Sequence, residues 1–148
     1  AVRQLKNKDL FNFLLEVINR QEKYILGVCL GMQLLCLGSE EEDEIGFGYF
    51  KNKCIKFPYK KDTLSTFIGW SQIKSVKENC FVEKGDLNKR FYFLHSYYYP
   101  KDENTLATAN NGLEYSSIIS RGKIIGAQFH PERSHNFGIS FFKSFNNL

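Results

Sequence analysis

The sequence has no apolar run near the roughly 18 residues that span a bilayer, and it has no low-complexity tract or internal repeat. Its 148 residues, of which 43% are hydrophobic, predict one globular domain over residues 1–148 with no membrane partner. The N-terminal residues also lack the basic segment and apolar core of a secretory signal. We therefore expect a cytoplasmic protein.

Cysteine and histidine are scarce as well. Four cysteines, Cys29, Cys36, Cys54 and Cys80, are few for a disulfide-stabilised domain. No CxxC pair and no Cys/His cluster has the spacing of zinc ligands. We expect free thiols, no bound metal and no cofactor.

The charge balance carries only a small basic excess. Lys and Arg number 20 against 16 acidic residues, for a net charge of +4. The densest basic stretches, residues 51–61 and 84–90, are interrupted by acidic and apolar residues. That pattern is typical of a solvated face, so we expect no nucleic-acid partner.

Apolar periodicity predicts a mixed α/β domain. Residues 10–20 have helical spacing after Asp9, residues 24–28 suit a short buried strand, and the segment after Cys29 reads as a helix closed by Gly38. The acidic stretch 39–44 is predicted to be a polar loop, and residues 136–148 a terminal helix packed on a sheet. Between them, short aromatic or β-branched runs predict strands over residues 48–57, 65–73, 80–84, 90–100, 106–110, 115–120 and 123–131.

Two glycines supply turn signals within this strand-rich part. Asn111-Gly112 and Gly122 each fall between two predicted strands. Both are typical of tight hairpin turns.

A cysteine lies between two glycines where a strand meets a helix, in Gly27-Val28-Cys29-Leu30-Gly31. This pattern is typical of a nucleophile elbow, in which a sharp turn pushes the apical side chain outward and the helix N-terminus favours a thiolate. The turn would also aim the Leu30 N–H at an oxyanion forming on a substrate. The alternative is that Cys29 is a small buried apolar residue and that the glycines serve packing.

A thiol nucleophile needs a base, and the base needs an orienting acceptor. His130 ends an apolar strand, and Pro131 would hold the backbone so that His130 and Glu132 project the same way. The alternative for His130 is a surface histidine satisfied within a turn. His95 interrupts an aromatic strand and is expected to be structural or adjacent to substrate, and His135 has a weaker case still.

Several stretches together resemble the class I glutamine amidotransferases, and within them the glutaminase subunits of imidazole glycerol phosphate synthase. These stretches are LGVCLGMQLL, SEE, GFG, GW, FYFLHSYY and GAQFHPERS. The resemblance implies an α/β fold of the flavodoxin-like, three-layer kind with a central, mostly parallel sheet. Relatives begin with further strands and a loop that donates a second oxyanion N–H. The present sequence resembles them only from the helix after that loop, so we expect a part of a longer protein, and the alternative is a truncated relative.

The resemblance also implies roles for individual residues. Cys29 would be the nucleophile, His130 the general acid and base, and Glu132 the residue that orients His130. The substrate-binding residues it implies are Leu30, Gln33, Glu41, Ser96 and Tyr97. Two of these have plain alternatives, since Glu41 could be a solvated loop acid and Gln33 an ordinary helix-surface residue.

The implied reaction is hydrolysis of the side-chain amide of glutamine through a γ-glutamyl thioester. In this family the ammonia passes to a partner, a (β/α)8-barrel synthase (cyclase), in a heterodimer of histidine biosynthesis. Three alternatives stay open: a paralogue that supplies ammonia for sugar amidination in surface-polysaccharide or flagellar glycan synthesis, a non-catalytic partner-binding subunit, and a γ-glutamyl peptidase.

The match departs from the family at the surface that would meet the synthase. Where relatives read GWN, this chain has Gly69-Trp70-Ser71, and where they read HPEKSQ it has Arg133 and His135. The resemblance places Trp70 and Arg133 at the partner interface. Arginine keeps the charge of lysine but changes the geometry of an ion pair, and Ser71 lacks the amide's paired contacts.

Overall fold

Helices and strands alternate in the first third of the chain, and strands dominate from there to the last helix. The computed structural model describes residues 1–58, 65–82 and 88–148. In these ranges the helices are α1 (Val2–Asn7), α2 (Leu10–Arg20), α3 (Leu30–Leu35) and α4 (His135–Asn146). The strands are β1 (Ile25–Val28), β2 (Cys36–Ser39), β3 (Glu42–Ile45), β4 (Phe50–Lys56), β5 (Phe67–Gln72), β6 (Lys74–Ser75), β7 (Arg90–His95), β8 (Tyr97–Tyr98), β9 (Thr105–Asn110), β10 (Glu114–Arg121) and β11 (Ile124–Ala127).

A five-stranded sheet in the order β1-β11-β10-β9-β6 forms the centre of the fold. A second sheet has the order β3-β2-β4-β8, and β5 pairs with β7 in a third. None of the helices in the described ranges is long and apolar enough to cross a membrane.

The α/β class is confirmed, but the described strands are not mostly parallel. Among them only β1 with β11 and β2 with β4 pair in parallel, and the other pairings are antiparallel. For the pairs β2–β3, β9–β10 and β10–β11 the physical reason is a short connection, because a tight turn can only return the chain antiparallel to itself. Gly122 makes such a turn at φ +57°, between Arg121 and Ile124, which are paired residues. Gly112, at φ +74°, lies in the turn from β9 to β10, so both hairpin predictions are confirmed.

The central sheet is covered on both faces. Neighbouring residues of β10, Ile118 and Ile119, are both buried but belong to different apolar clusters. Ile125 and Ile124 of β11 divide between the clusters in the same way. Since side chains alternate across a strand, the two clusters lie on opposite faces. One contains Phe141 of α4 with the aromatic residues of β7, and the other contains residues of α2, α3, β2 and β4, which is a three-layer arrangement.

Several predicted elements were right in kind and wrong in extent. The helix over residues 10–20 is confirmed, although Asp9 makes no side-chain capping bond, and the terminal helix begins one residue earlier than predicted. The helix after Cys29 ends at Leu35, not at Gly38, because Cys36–Ser39 forms β2 between β3 and β4. The acidic stretch is therefore a hairpin and not a loop.

Two predictions fall partly outside the described residues. Cys80, Phe81 and Val82 form bends instead of the start of a strand, and residues 83–84 lie outside the description. Parts of the basic stretches 51–61 and 84–90 lie outside it as well.

Candidate active site

Cys29 occupies the sharp turn between β1 and α3. Its backbone has φ +48° and ψ −103°, a region that residues with a side chain rarely adopt. The Cys29 N–H donates to the Ala127 carbonyl at 2.7 Å, so the turn is attached to the end of the parallel strand β11. Such strain costs of order 1–3 kcal/mol and concentrates at functional sites.

The two glycines around Cys29 have different roles. A Cβ atom on Gly27 would lie 2.7 Å from the backbone carbon and oxygen of Gly31, whereas a Cβ on Gly31 would meet nothing within 4 Å. Gly27 therefore allows the first turn of α3 to close onto β1. Gly31 supplies the backbone carbon and oxygen that lie against Gly27.

We predict that Gly27→Ala lowers the free energy of unfolding by about 1–3 kcal/mol, because the backbone of α3 must move away to admit the methyl group. Gly31→Ala is the matched control and should leave stability unchanged or raise it by up to about 1 kcal/mol through helix propensity. Urea denaturation of both variants measures the difference. Equal stabilities would mean that the close approach is unimportant.

The Cys29 thiol is half-buried, and its sulfur makes polar contacts with a carbonyl and an amide. Its Sγ donates to the Leu94 carbonyl at 3.6 Å and accepts from Gln128 Nε2 at 3.8 Å. Burial raises the pKa of Cys29 to about 11; hydrogen bonds from the Leu30 N–H and the Gln128 amide oppose the shift, and the charge of Glu132 adds to it. Without substrate the group is therefore a neutral thiol at neutral pH.

His130 and Glu132 form the predicted pair. His130 Nδ1 lies 2.6 Å from Glu132 Oε1, and because a carboxylate only accepts, this contact favours the neutral tautomer with the proton on Nδ1 and the lone pair on Nε2. The prediction that His130 ends a strand was wrong. The strand β11 ends at Ala127, and the contact is made across a single 3-10 turn at Pro131–Arg133. Val28, the residue before Cys29, pairs in parallel with Ala127, so β1 and β11 end side by side, and the chain reaches this turn after residues 128–130.

Ser134, which the sequence analysis missed, fixes the backbone of His130. Its side chain is wholly buried, accepts the Tyr92 N–H at 3.0 Å and donates to the His130 carbonyl at 2.6 Å. His130 N–H in turn donates to the Tyr92 carbonyl at 2.8 Å. The turn that holds the histidine is thus attached to β7 at both ends.

A cavity of about 300 Å³ opens beside Cys29. It brings together Cys29 and all five predicted substrate-binding residues, while His130 and Glu132 are not among its lining residues. The lining consists of Cys29, Leu30, Gln33, Glu41, Thr66, Leu94, His95, Ser96 and Tyr97. Within the described ranges no group of three or more histidine, cysteine or acidic side chains could hold a metal ion.

One wall of the cavity is held by the Tyr97 carbonyl. It accepts from Gln33 Nε2 at 3.2 Å and from His95 Nδ1 at 2.8 Å, and His95 Nε2 lies 3.3 Å from the hydroxyl of Tyr115. Gln33 is therefore not a helix-surface residue, because it is buried and bonded to the strand opposite. Burial lowers the pKa of His95 to about 4, so this histidine is a neutral structural group beside the cavity, as predicted.

The remaining substrate-binding candidates line the same cavity in different settings. Glu41 is exposed at the turn between β2 and β3, where its N–H donates to Ser39 Oγ at 3.2 Å. Its carboxylate is thus available to a ligand as well as to water. Ser96 Oγ lies 2.7 Å from Thr66 Oγ1, a contact that fixes the hydroxyl.

The two predicted interface residues lie together on the surface of the β5–β7 pair. Trp70 is 45% exposed and stacks on His135, with ring centroids 5.5 Å apart and planes 10° from parallel. The Arg133 guanidinium lies 5.1 Å from the ring centre of Tyr92, the residue paired with Trp70. Ile68 and Leu94, a second cross-strand pair, are also exposed and extend the apolar surface.

The chain belongs to the class-I glutamine amidotransferase family, whose model matches residues 6–145. Its relatives include the imidazole glycerol phosphate synthase subunit HisH of Leptospira borgpetersenii, 36% identical over 100% of this chain and 75% of that protein. The HisH 2 subunit of Pseudomonas aeruginosa is 36% identical over 98% of this chain and 73% of that protein, and the Buchnera aphidicola HisH protein is 40% identical over 89% and 67%. More narrowly, the chain is a member of the HisH family.

Solved structures agree with this fold. A glutamine amidotransferase crystal structure superposes with a TM-score of 0.67 over 97% of this chain and 72% of that one, at 12% identity. A glutamine amidotransferase from Thermotoga maritima gives a TM-score of 0.57 over 99% of this chain and 58% of that one, at 19% identity. At these identities the likeness concerns the fold alone.

Proposed function

We propose that the chain is a glutaminase that uses Cys29, His130 and Glu132, and that it supplies ammonia for imidazole glycerol phosphate synthesis. The observation that carries this proposal is the position of Cys29. It lies at a strained strand-to-helix turn, on the wall of a cavity that all five implied glutamine-binding residues line. The His130–Glu132 pair lies after the end of the adjacent strand β11, across the 3-10 turn.

The chemistry follows from the protonation states. His130 Nε2 takes the thiol proton as Cys29 Sγ attacks the amide carbon of glutamine, and the oxygen becomes an oxyanion facing the Leu30 N–H. The C–N bond then breaks, and His130 returns its proton to the departing ammonia. Water, deprotonated by His130, hydrolyses the γ-glutamyl thioester and releases glutamate. Glu132 keeps Nδ1 protonated throughout and stabilises the imidazolium.

The cavity suits the amino-acid end of glutamine. The exposed Glu41 carboxylate can pair with the α-ammonium group, and the Ser96 hydroxyl and nearby backbone N–H groups can bind the α-carboxylate. Gln33 acts indirectly, because its amide holds the Tyr97 carbonyl.

The implied partner is a (β/α)8-barrel cyclase, in a cytoplasmic heterodimer. The relatives are named as subunits of imidazole glycerol phosphate synthase, which supports a shared assembly. The surface formed by Ile68, Trp70, Leu94, Arg133 and His135 is the proposed contact, since exposed apolar side chains and an arginine are typical of interfaces.

A second candidate is a glutaminase that feeds a sugar-amidinating enzyme. The observation that favours it is the changed interface, where His135 stacks on Trp70 and Ser71 turns its hydroxyl to the Gln72 carbonyl. A partner other than the cyclase would meet a surface altered in this way.

Two experiments test the proposal. With the cyclase present, a glutamine-mimicking diazoketone should add once to each chain, at Cys29, and absence of that adduct would contradict the glutaminase. The gene that encodes this chain should complement a histidine auxotroph that lacks its own glutaminase gene. An adduct at Cys29 without complementation would favour the sugar pathway instead.

A further inference from the structure

Gln128 is a buried amide with an unusual set of contacts. Its side chain has no solvent exposure, and Nε2 lies 3.8 Å from Cys29 Sγ. Oε1 is one of two buried side-chain oxygens in the described ranges without a hydrogen-bond partner, and the other is Ser117 Oγ. Burying an amide that is only half satisfied is unfavourable, and an apolar side chain of the same length would avoid that cost.

The position of Gln128 in the sheet explains why its side chain points toward Cys29. Its N–H donates to the Ser117 carbonyl at 2.9 Å, which continues the β10–β11 ladder one residue past Ala127. Ala127 in turn accepts the N–H of Cys29. The amide is thus held by rigid backbone directly beside the turn that carries the sulfur.

From this geometry we infer that Gln128 is a positioning residue for Cys29, whose side-chain N–H stabilises the thiolate formed when the thiol loses its proton. The inference rests on the proposed function only for its catalytic meaning, because the contact itself concerns Cys29. The neutral thiol has its own acceptor in the Leu94 carbonyl, so Gln128 Nε2 can donate to Sγ both before and after the proton is lost. One side chain therefore serves both protonation states.

The other groups around the sulfur make this donor important. Glu132, in the 3-10 turn, and Cys54, on β4, both oppose a negative charge on Sγ. His95, on β7, is neutral, and Glu41, on the β2–β3 turn, lines the same cavity. The donors that favour the thiolate are the Leu30 N–H and the Gln128 amide, and His130, beyond β11, is the proposed acceptor of the thiol proton.

The test is the pH dependence of Cys29 alkylation by iodoacetamide in the full chain, followed by peptide mass spectrometry. In Gln128→Met, alkylation of Cys29 should be about tenfold slower at pH 8, and its midpoint should rise by about one pH unit. Gln128→Asn, whose side chain is too short for its amide to reach Sγ, should behave in the same way. This second variant keeps the test valid if the Gln128→Met protein does not fold. The exposed Cys80 provides an internal reference in every sample.

Ser117→Ala is the matched control, because it removes the other unpartnered buried oxygen on the neighbouring strand and should leave the Cys29 midpoint unchanged. Rates that fall equally at every pH would indicate altered access instead, and would overturn the inference. An unchanged midpoint in both Gln128 variants would overturn it too. Neither result would affect the proposed glutaminase, which instead fails if the diazoketone does not add to Cys29.

Discussion

Replacing Cys29 by serine is expected to lower glutamine hydrolysis by roughly 10⁴- to 10⁶-fold, the usual loss when the nucleophile of a triad is removed. The hydroxyl is a far weaker acid than the thiol, and partial burial of this turn disfavours the ionised form further. The loss is measured as the rate of glutamate release by the variant and by the wild type, with the cyclase present. Because serine and cysteine side chains are similar in shape, the substitution should leave the strained backbone conformation at φ +48° in place.

Cys80→Ser is the control for this substitution. Cys80 is exposed and does not line the cavity, so its variant should keep full activity. If Cys29→Ser retained more than about a hundredth of the wild-type rate, the covalent mechanism would be wrong. Hydrolysis would then not depend on the Cys29 thiol, and another group would have to activate the attacking water.

The second large effect is expected from Gly138→Ala in α4. A Cβ at this position would lie 1.8 Å from the Pro131 carbonyl oxygen and 2.7 Å from its carbonyl carbon, and both are backbone atoms that cannot swing aside. We expect a loss of about 3 kcal/mol or more in the free energy of unfolding, at the upper end of overpacking effects. Urea denaturation measures this loss.

The same substitution should also reduce activity in the molecules that remain folded, because α4 would push on the turn that holds His130 and Glu132. Ser140→Ala, at an exposed position of the same helix, is the control and should change stability by less than about 0.5 kcal/mol. A Gly138→Ala protein as stable as wild type would mean that α4 can shift without cost.

Local chemistry made much of the site predictable from the sequence. The elbow needs only a strand, a cysteine and a glycine that lets the helix approach, and these are neighbours in the chain. The contact of His130 with Glu132 spans two residues. The hairpin at Gly122 is equally local, because one residue at positive φ sets it.

The features that sequence reasoning missed depend on distant partners. Cys36–Ser39 has a helical continuation by pattern but forms a strand, because β3 and β4 supply its hydrogen bonds. Ser134 reads as an ordinary turn residue until Tyr92 is seen beside it. Gln128 likewise reads as a polar interruption of an apolar strand, and only the register of β1 with β11 brings it to Cys29.

The parallel pairing of β1 with β11 has a mechanical consequence. The turn that carries the sulfur is bonded to Ala127 at the end of this strand pair, and the backbone of His130, further along the chain, is bonded to Tyr92 of β7. Attachment to paired strands makes that side of the cleft stiff. The opposite side comprises the Ser96–Tyr97 segment, which leads into the pairing of β8 with β4, and the β2–β3 hairpin, whose turn at Glu41 is exposed to solvent. Any widening that admits glutamine must therefore come from that second side, while the reacting groups keep their spacing.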